Sequence, residues 1–230
     1  MWKYLIVLFS SIALLGCSIS KGKTTETAQQ VQTYTNELAK NDTMKTAHYA
    51  GNPQVTDDAT LQKIGDSFWD KKGKLVLEDI KKVNQKYKIG PIELTVIDIK
   101  VLRYLPAYSL IDFFHGFTHE AEDFDFVRVH MKIRNTENDD VYFAPIALIE
   151  LSSGERMTWE DDFYLEELNG LYRGNEEKIG NMGFVIDKQS HNHGNVKTSE
   201  VKSVQLTTSE VFNRDREVIS DRETIQIKFE

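Results

Sequence analysis

The sequence predicts an all-β fold, a sandwich or barrel of antiparallel strands. Three observations predict it. Apolar residues recur every second position from Leu75 onward; Gly, Asn, Asp and Ser clusters punctuate these runs at short spacing; and no long helical period intervenes. One cysteine in 230 residues rules out an internal disulfide, so a hydrophobic core must hold the fold.

The chain opens with Lys3 and an uncharged block, Tyr4 to Cys17. The block is too short to cross a hydrocarbon core, which takes about twenty residues. A charged start, an apolar centre and a small residue are the parts of a secretory signal peptide. Leu14-Leu15-Gly16-Cys17 resembles the lipobox of bacterial lipoproteins. The resemblance implies cleavage before Cys17 and a diacylglyceryl group on its thiol. Two acyl chains, at ~0.8 kcal/mol per buried methylene, anchor a protein stably where one does not. The expectation is a protein held by membrane lipid on the outer face of the cell membrane.

Loss of residues 1–16 removes only Lys3 from the 28 Lys plus Arg. It leaves 27 against 36 acids, a formal charge of −9 rather than −8. This balance disfavours nucleic acid, whose phosphates need a basic face. It also argues against an electrostatic hold on anionic lipids, leaving the acyl chains as anchor.

Residues 17–72 read as the lipidated N-terminus, a polar and partly helical tether, and a short helix. As coil, some forty residues reach roughly 35 Å. Asp57 or Asp58 would cap the helix, with Leu61, Ile64 and Phe68 on one face. Gly73 breaks that pattern, and residues 73–230 read as the β domain. Leu75 and Leu77 alternate. Gly90-Pro91 starts a strand with Ile92, Leu94, Val96 and Asp98 on one face, and Ile97, Ile99 and Val101 on the other. Phe124 to Arg134 is the clearest strand: Val127, Val129, Met131 and Ile133 alternate with Arg128, His130, Lys132 and Arg134. Val141 to Leu151 returns as a strand, with Pro145 marking a bulge or an edge. Arg156 to Trp159 pairs back, and 160–175 is irregular. Further strands follow at 180–186, from Val201, and at Ile225 to Phe229.

The run Ile89-Gly90-Pro91-Ile92-Glu93-Leu94-Thr95-Val96, the strand end Ile133-Arg134-Asn135-Thr136, Gly154 in a turn and Gly180 to Ile186 stand in an order that resembles a family. It is the uncharacterised immunoglobulin-like domain of Gram-positive surface lipoproteins, whose fold is similar to that of a mycobacterial secreted immunoprotective antigen. The resemblance covers residues 85–230. It implies an immunoglobulin-like antiparallel β-sandwich, preceded by the signal peptide and tether. It implies no activity, cofactor or site residue.

Catalytic signatures are missing from the sequence. There is no Gly-x-Ser-x-Gly elbow, no phosphate loop, and no thiol once Cys17 is acylated. A cell-envelope hydrolase is therefore disfavoured, and no cofactor is expected. His115 with His119, and His191 with His193, have spacings that could place two imidazoles on one metal. No motif constrains them, so solvated or packed histidines are favoured over an extracytoplasmic solute or metal binder. Asn138-Asp139-Asp140 and Glu160-Asp161-Asp162 lack the spacing of a calcium loop and read as solvated turns.

The aromatic stretch 104–126 is the candidate partner-binding loop, with Tyr108, Phe113, Phe114 and Phe117 as contacts for a protein or peptide at the cell surface. The competing reading makes Leu110, Phe113, Phe114 and Phe117 a short amphipathic helix that closes one end of the fold. Helical spacing favours that reading. The expected function is a non-catalytic binding module.

Overall fold

The computed structural model describes residues 51–186 and 201–229, and within them the chain is mostly β, with antiparallel sheets. A five-stranded sheet contains β1 (Ser67–Asp70), β2 (Gly73–Ile89), β3 (Ile92–Pro106), β4 (Phe124–Asn135) and β9 (Glu177–Ile186), hydrogen-bonded in that order. Two four-stranded sheets complete the fold. One runs β13 (Thr224–Lys228), β10 (Ser203–Thr207), β6 (Leu148–Leu151), β7 (Arg156–Thr158). The other runs β12 (Val218–Ser220), β11 (Val211–Phe212), β5 (Val141–Phe143), β8 (Gly170–Tyr172).

The main core draws on all three sheets. Leu94, Val96, Ile99, Val129, Met131 and Ile133 of the large sheet share it with Phe143, Ile149, Tyr172, Val204 and Ile227 of the small ones. This face of the large sheet is its inner face. Pro145 splits the expected strand 141–151 in two: β5 joins one small sheet and β6 the other. A residue without an amide donor suits that switch better than a continuous ladder.

β3 carries a bulge between Val96 and Asp98. The extra residue, Ile97, reverses the alternation. Ile99 and Val101 therefore join Val96 in the main core, and Asp98 turns to the outer face. The face assignment expected from strict alternation is corrected accordingly.

The outer face reads as rows across paired strands, from one end to the other. Leu75, Tyr104 and Phe124 form the first; Leu77, Leu102, Phe126 and Val185 the second. Ile80, Lys100, Arg128 and Gly183 follow, then Lys82, Asp98, His130 and Asn181. The last rows are Lys86, Thr95, Lys132 and Ile179, then Lys88, Glu93, Arg134 and Glu177.

Residues 51–66 and 107–123 cover the first rows, together with Phe163 and Tyr164, in a second core. Val55 and Leu61 are buried there, and Ala47–Glu230 groups as one unit. Residues 51–72, expected to belong to the tether and its short helix, are instead packed into the β fold. The helix expected near Asp57 is absent from the described residues. Asp57 instead accepts the Ala59 amide at 2.9 Å, and Phe68 lies in β1. Asp58 is drawn onto the sheet by two cations, which precludes a capping role.

Candidate binding surface

The stretch 104–126 builds an aromatic cluster before it builds a surface. Tyr104 packs edge-on against Phe114 at 5.5 Å and Phe124 at 5.8 Å, while Phe126 meets Phe163 at 5.1 Å. The helix α1 (Ile111–Phe114) is one turn long. It drives Phe114 into the cluster, fully buried, with the Phe113 ring 5.0 Å from it and Phe117 5.4 Å beyond, against Phe113. The Tyr104 hydroxyl lies 3.0 Å from the Gln54 carbonyl and 2.8 Å from that of Lys72, tying both segments to the sheet. Burial pushes that hydroxyl up to about 12. Phe114 is therefore a packing residue, which removes it from the expected contact surface, while Phe113 and Phe117 are half-buried against the cluster. Three aromatics at helical spacing remove more area from water inward than a loop would display.

Tyr108 is different. It is 91% exposed, in the turn before α1. Nearby, Trp69, Lys74 and Leu105 stand side by side across three strands. They project from the inner side of the sheet, beyond the last core residues there. Trp69 is 77% exposed and Leu105 37%. With Lys71, Pro106 and Ala107 they line an open groove of about 550 Å³. Sequence reading missed Trp69 and Leu105. Their signal was parity: both are apolar on strands whose opposite faces already carry Phe68 and Tyr104.

A second missed feature lies in the middle rows. Asp58 meets the Lys100 ammonium at 2.8 Å and the Arg128 guanidinium at 2.5 Å. The Lys100 ammonium also donates to the Asp58 carbonyl at 2.7 Å. Arg128 reaches Asp98 at 2.7 Å, and His130 lies 3.6 Å from Asp98. Burial alone would raise the Asp58 carboxyl, but Arg128 and Lys100 outweigh it and hold it below the usual range. Asp98 is likewise lowered: burial opposes, and His130 and Arg128 win. Arg128 stays protonated, because Asp58 and Asp98 overcome its own desolvation. Lys100 and Arg128 are 2% and 3% exposed, so the two cations are buried, and their contacts with Asp58 clamp residues 51–66 to the sheet. Alternation placed Arg128 on the face opposite Val127, and no local signal named Asp58 as its partner.

The other candidates do not converge. His115 and His119 are exposed, and no group of three His, Cys, Asp or Glu able to hold a metal occurs among the described residues. His191, His193 and Cys17 lie outside the described residues. Asp140 accepts the Gly174 amide at 3.0 Å and pairs with Arg214 at 2.5 Å, which ties up its oxygens. Asp162 is buried, against the solvated turn expected. It accepts the amides of Gly183 and Tyr164 at 2.8 and 3.0 Å. Burial pushes its carboxyl up to about 6 despite those amides.

No helix among the described residues is long and apolar enough to cross a membrane. No family model matches the chain. A crystal structure of a functionally unknown protein from Listeria monocytogenes EGD-e is similar over 68% of this chain and 88% of that one, at 10% identity and a TM-score of 0.45. The chain is 45% identical over 237 residues to the uncharacterized protein YdhF of Bacillus subtilis (strain 168), spanning the whole of both, and it belongs to that protein's family.

Proposed function

We propose that this chain is a lipid-anchored, extracytoplasmic binding module with an immunoglobulin-like sandwich and no catalytic role. Acylated Cys17 would hold it to the outer face of the membrane. Its partner would be a protein or peptide of the cell surface, met by the aromatic tip. One observation carries this reading: Trp69 and Tyr108 are largely exposed beside Leu105 and an open groove. Large aromatics left in water cost free energy that only a partner recovers, and Trp and Tyr are the side chains that dominate interface energies.

Photo-crosslinking from intact cells tests the tip. A photoreactive residue at Trp69 or Tyr108 should capture a cell-surface protein, and one at Asp139, on a distant turn, should not. Equal recovery from all three positions would overturn the reading. Mass spectrometry of the native protein tests the anchor separately: the expected N-terminus is a diacylglyceryl Cys17, and an intact Met1 with an unmodified thiol would refute it.

A further inference from the structure

The last two rows of the outer face lie beyond the loops that make the second core. They carry Lys86, Lys88, Lys132 and Arg134, with Lys82 in the row before. Their acids are Glu93 and Glu177, paired with Lys86 at 3.0 Å and Lys132 at 3.5 Å. Asp98, also on this face, is already engaged by Arg128. Lys82, Lys88 and Arg134 are thus a surplus of positive charge. The Glu93 carboxyl registers the crowding: a hydrogen bond from Lys86 and the fields of Lys86, Arg134 and Lys88 hold it low. Lys82, Lys86, Lys88 and Arg134 are exposed. This patch belongs to a chain with a formal charge of −8, so acid is in excess elsewhere.

We propose that this open, basic half of the sheet docks on an anionic phospholipid surface. Two features favour a bilayer over a single phosphate. The cations stand in two columns, on β2 and β4, about 10 Å apart with β3 between them, a broad and shallow array rather than a pocket. The acid excess elsewhere repels the same membrane, so docking selects one orientation. Each Lys or Arg near an anionic leaflet contributes on the order of 1 kcal/mol, so a surplus of three corresponds to roughly 100-fold tighter contact. Net charge alone argues the opposite, because it averages over faces that the fold separates. Tip and patch lie at opposite ends of β2. Gly73 to Lys88 spans roughly 45 Å of strand, so docking here leaves the tip free. The proposal rests on the membrane location in the preceding reading, but its test does not need acylation.

The test uses the full-length chain in vesicles, with lysine acetylation read by mass spectrometry. In phosphatidylglycerol–phosphatidylcholine vesicles, Lys82, Lys86, Lys88 and Lys132 should react about tenfold more slowly than in pure phosphatidylcholine. High salt should abolish the difference. Lys71 and Lys74, by the groove, should react equally in both. Combined K82E, K86E and K88E should remove the protection of Lys132 while leaving the unfolding midpoint in urea unchanged. C17S should keep the protection, so a failed anchor and a failed face give different results. Equal reactivity in both vesicles overturns the proposal. So does protection by soluble poly(glycerol phosphate) without protection by vesicles, which would assign the face to an envelope polymer.

Discussion

The two ends of the large sheet's outer face are built from the same strands, yet they became different surfaces. At one end, Leu75, Leu77, Tyr104 and Phe126 are buried beneath two loop segments. At the other, Lys86, Lys88 and Arg134 remain open. The Asp58–Lys100–Arg128–Asp98 cluster is the seam between them. The contrast shows that a strand's composition does not decide what its face does. What decides is where the long connections land, and here a buried ion cluster stops them.

The seam is the place to break the contrast. Arg128→Met should cost most, about 3–5 kcal/mol in urea unfolding, because it removes one of the two cations on buried Asp58 and the guanidinium on half-buried Asp98. Asp58→Asn should release residues 51–66 first, seen as faster amide exchange there than in β4.

The covered end comes next. Phe114→Ala should cost about 3–4 kcal/mol, since the cavity sits among rings that cannot all close in. Gly183→Ala should cost about 1–3 kcal/mol, because a Cβ there would strike the Tyr164 ring.

The pH dependence sharpens the comparison within the covered end. Asp162 has a folded value of about 6, above its unfolded one. Its protonated form is the one the fold favours, so its contribution is complete below about pH 4 and is lost as pH rises through 6. Asp162→Asn should remove that slope and raise stability at pH 7 by up to about 2 kcal/mol. Asp58 and Asp98 have the opposite sign. Their folded values are lowered, so their contribution is full at neutral pH and disappears as pH falls through and below the ordinary Asp range. Acid unfolding of the Asp162→Asn protein should therefore show the seam's titration without the opposing contribution of Asp162. Smallest is the open end: Lys86→Ala should leave the unfolding midpoint unmoved, its exposed pair with Glu93 being screened by water.

Much of the fold was legible. The alternation in 124–134 and 180–186, and the apolar spacing of Phe113, Phe114 and Phe117, each led to the element the structure contains. The site was less so. Of the aromatic stretch, Tyr108 is the residue left largely in water, with Phe113 and Phe117 half-buried, and Trp69 and Leu105 went unnoticed because exposure depends on where neighbouring sheets stop. Asp58 was read as a cap because capping is a local pattern, whereas its partners are 42 and 70 positions away.

By itself the sequence determined the strand character of this chain, through a period-two alternation that any pleated backbone must obey. Tertiary structure decided the rest. Row membership depends on register, and register on bulges such as that at Ile97, which long-range pairing selects. The grouping of Lys82, Lys86, Lys88, Lys132 and Arg134 on one face, in a chain of net negative charge, exists only once β2 and β4 flank β3.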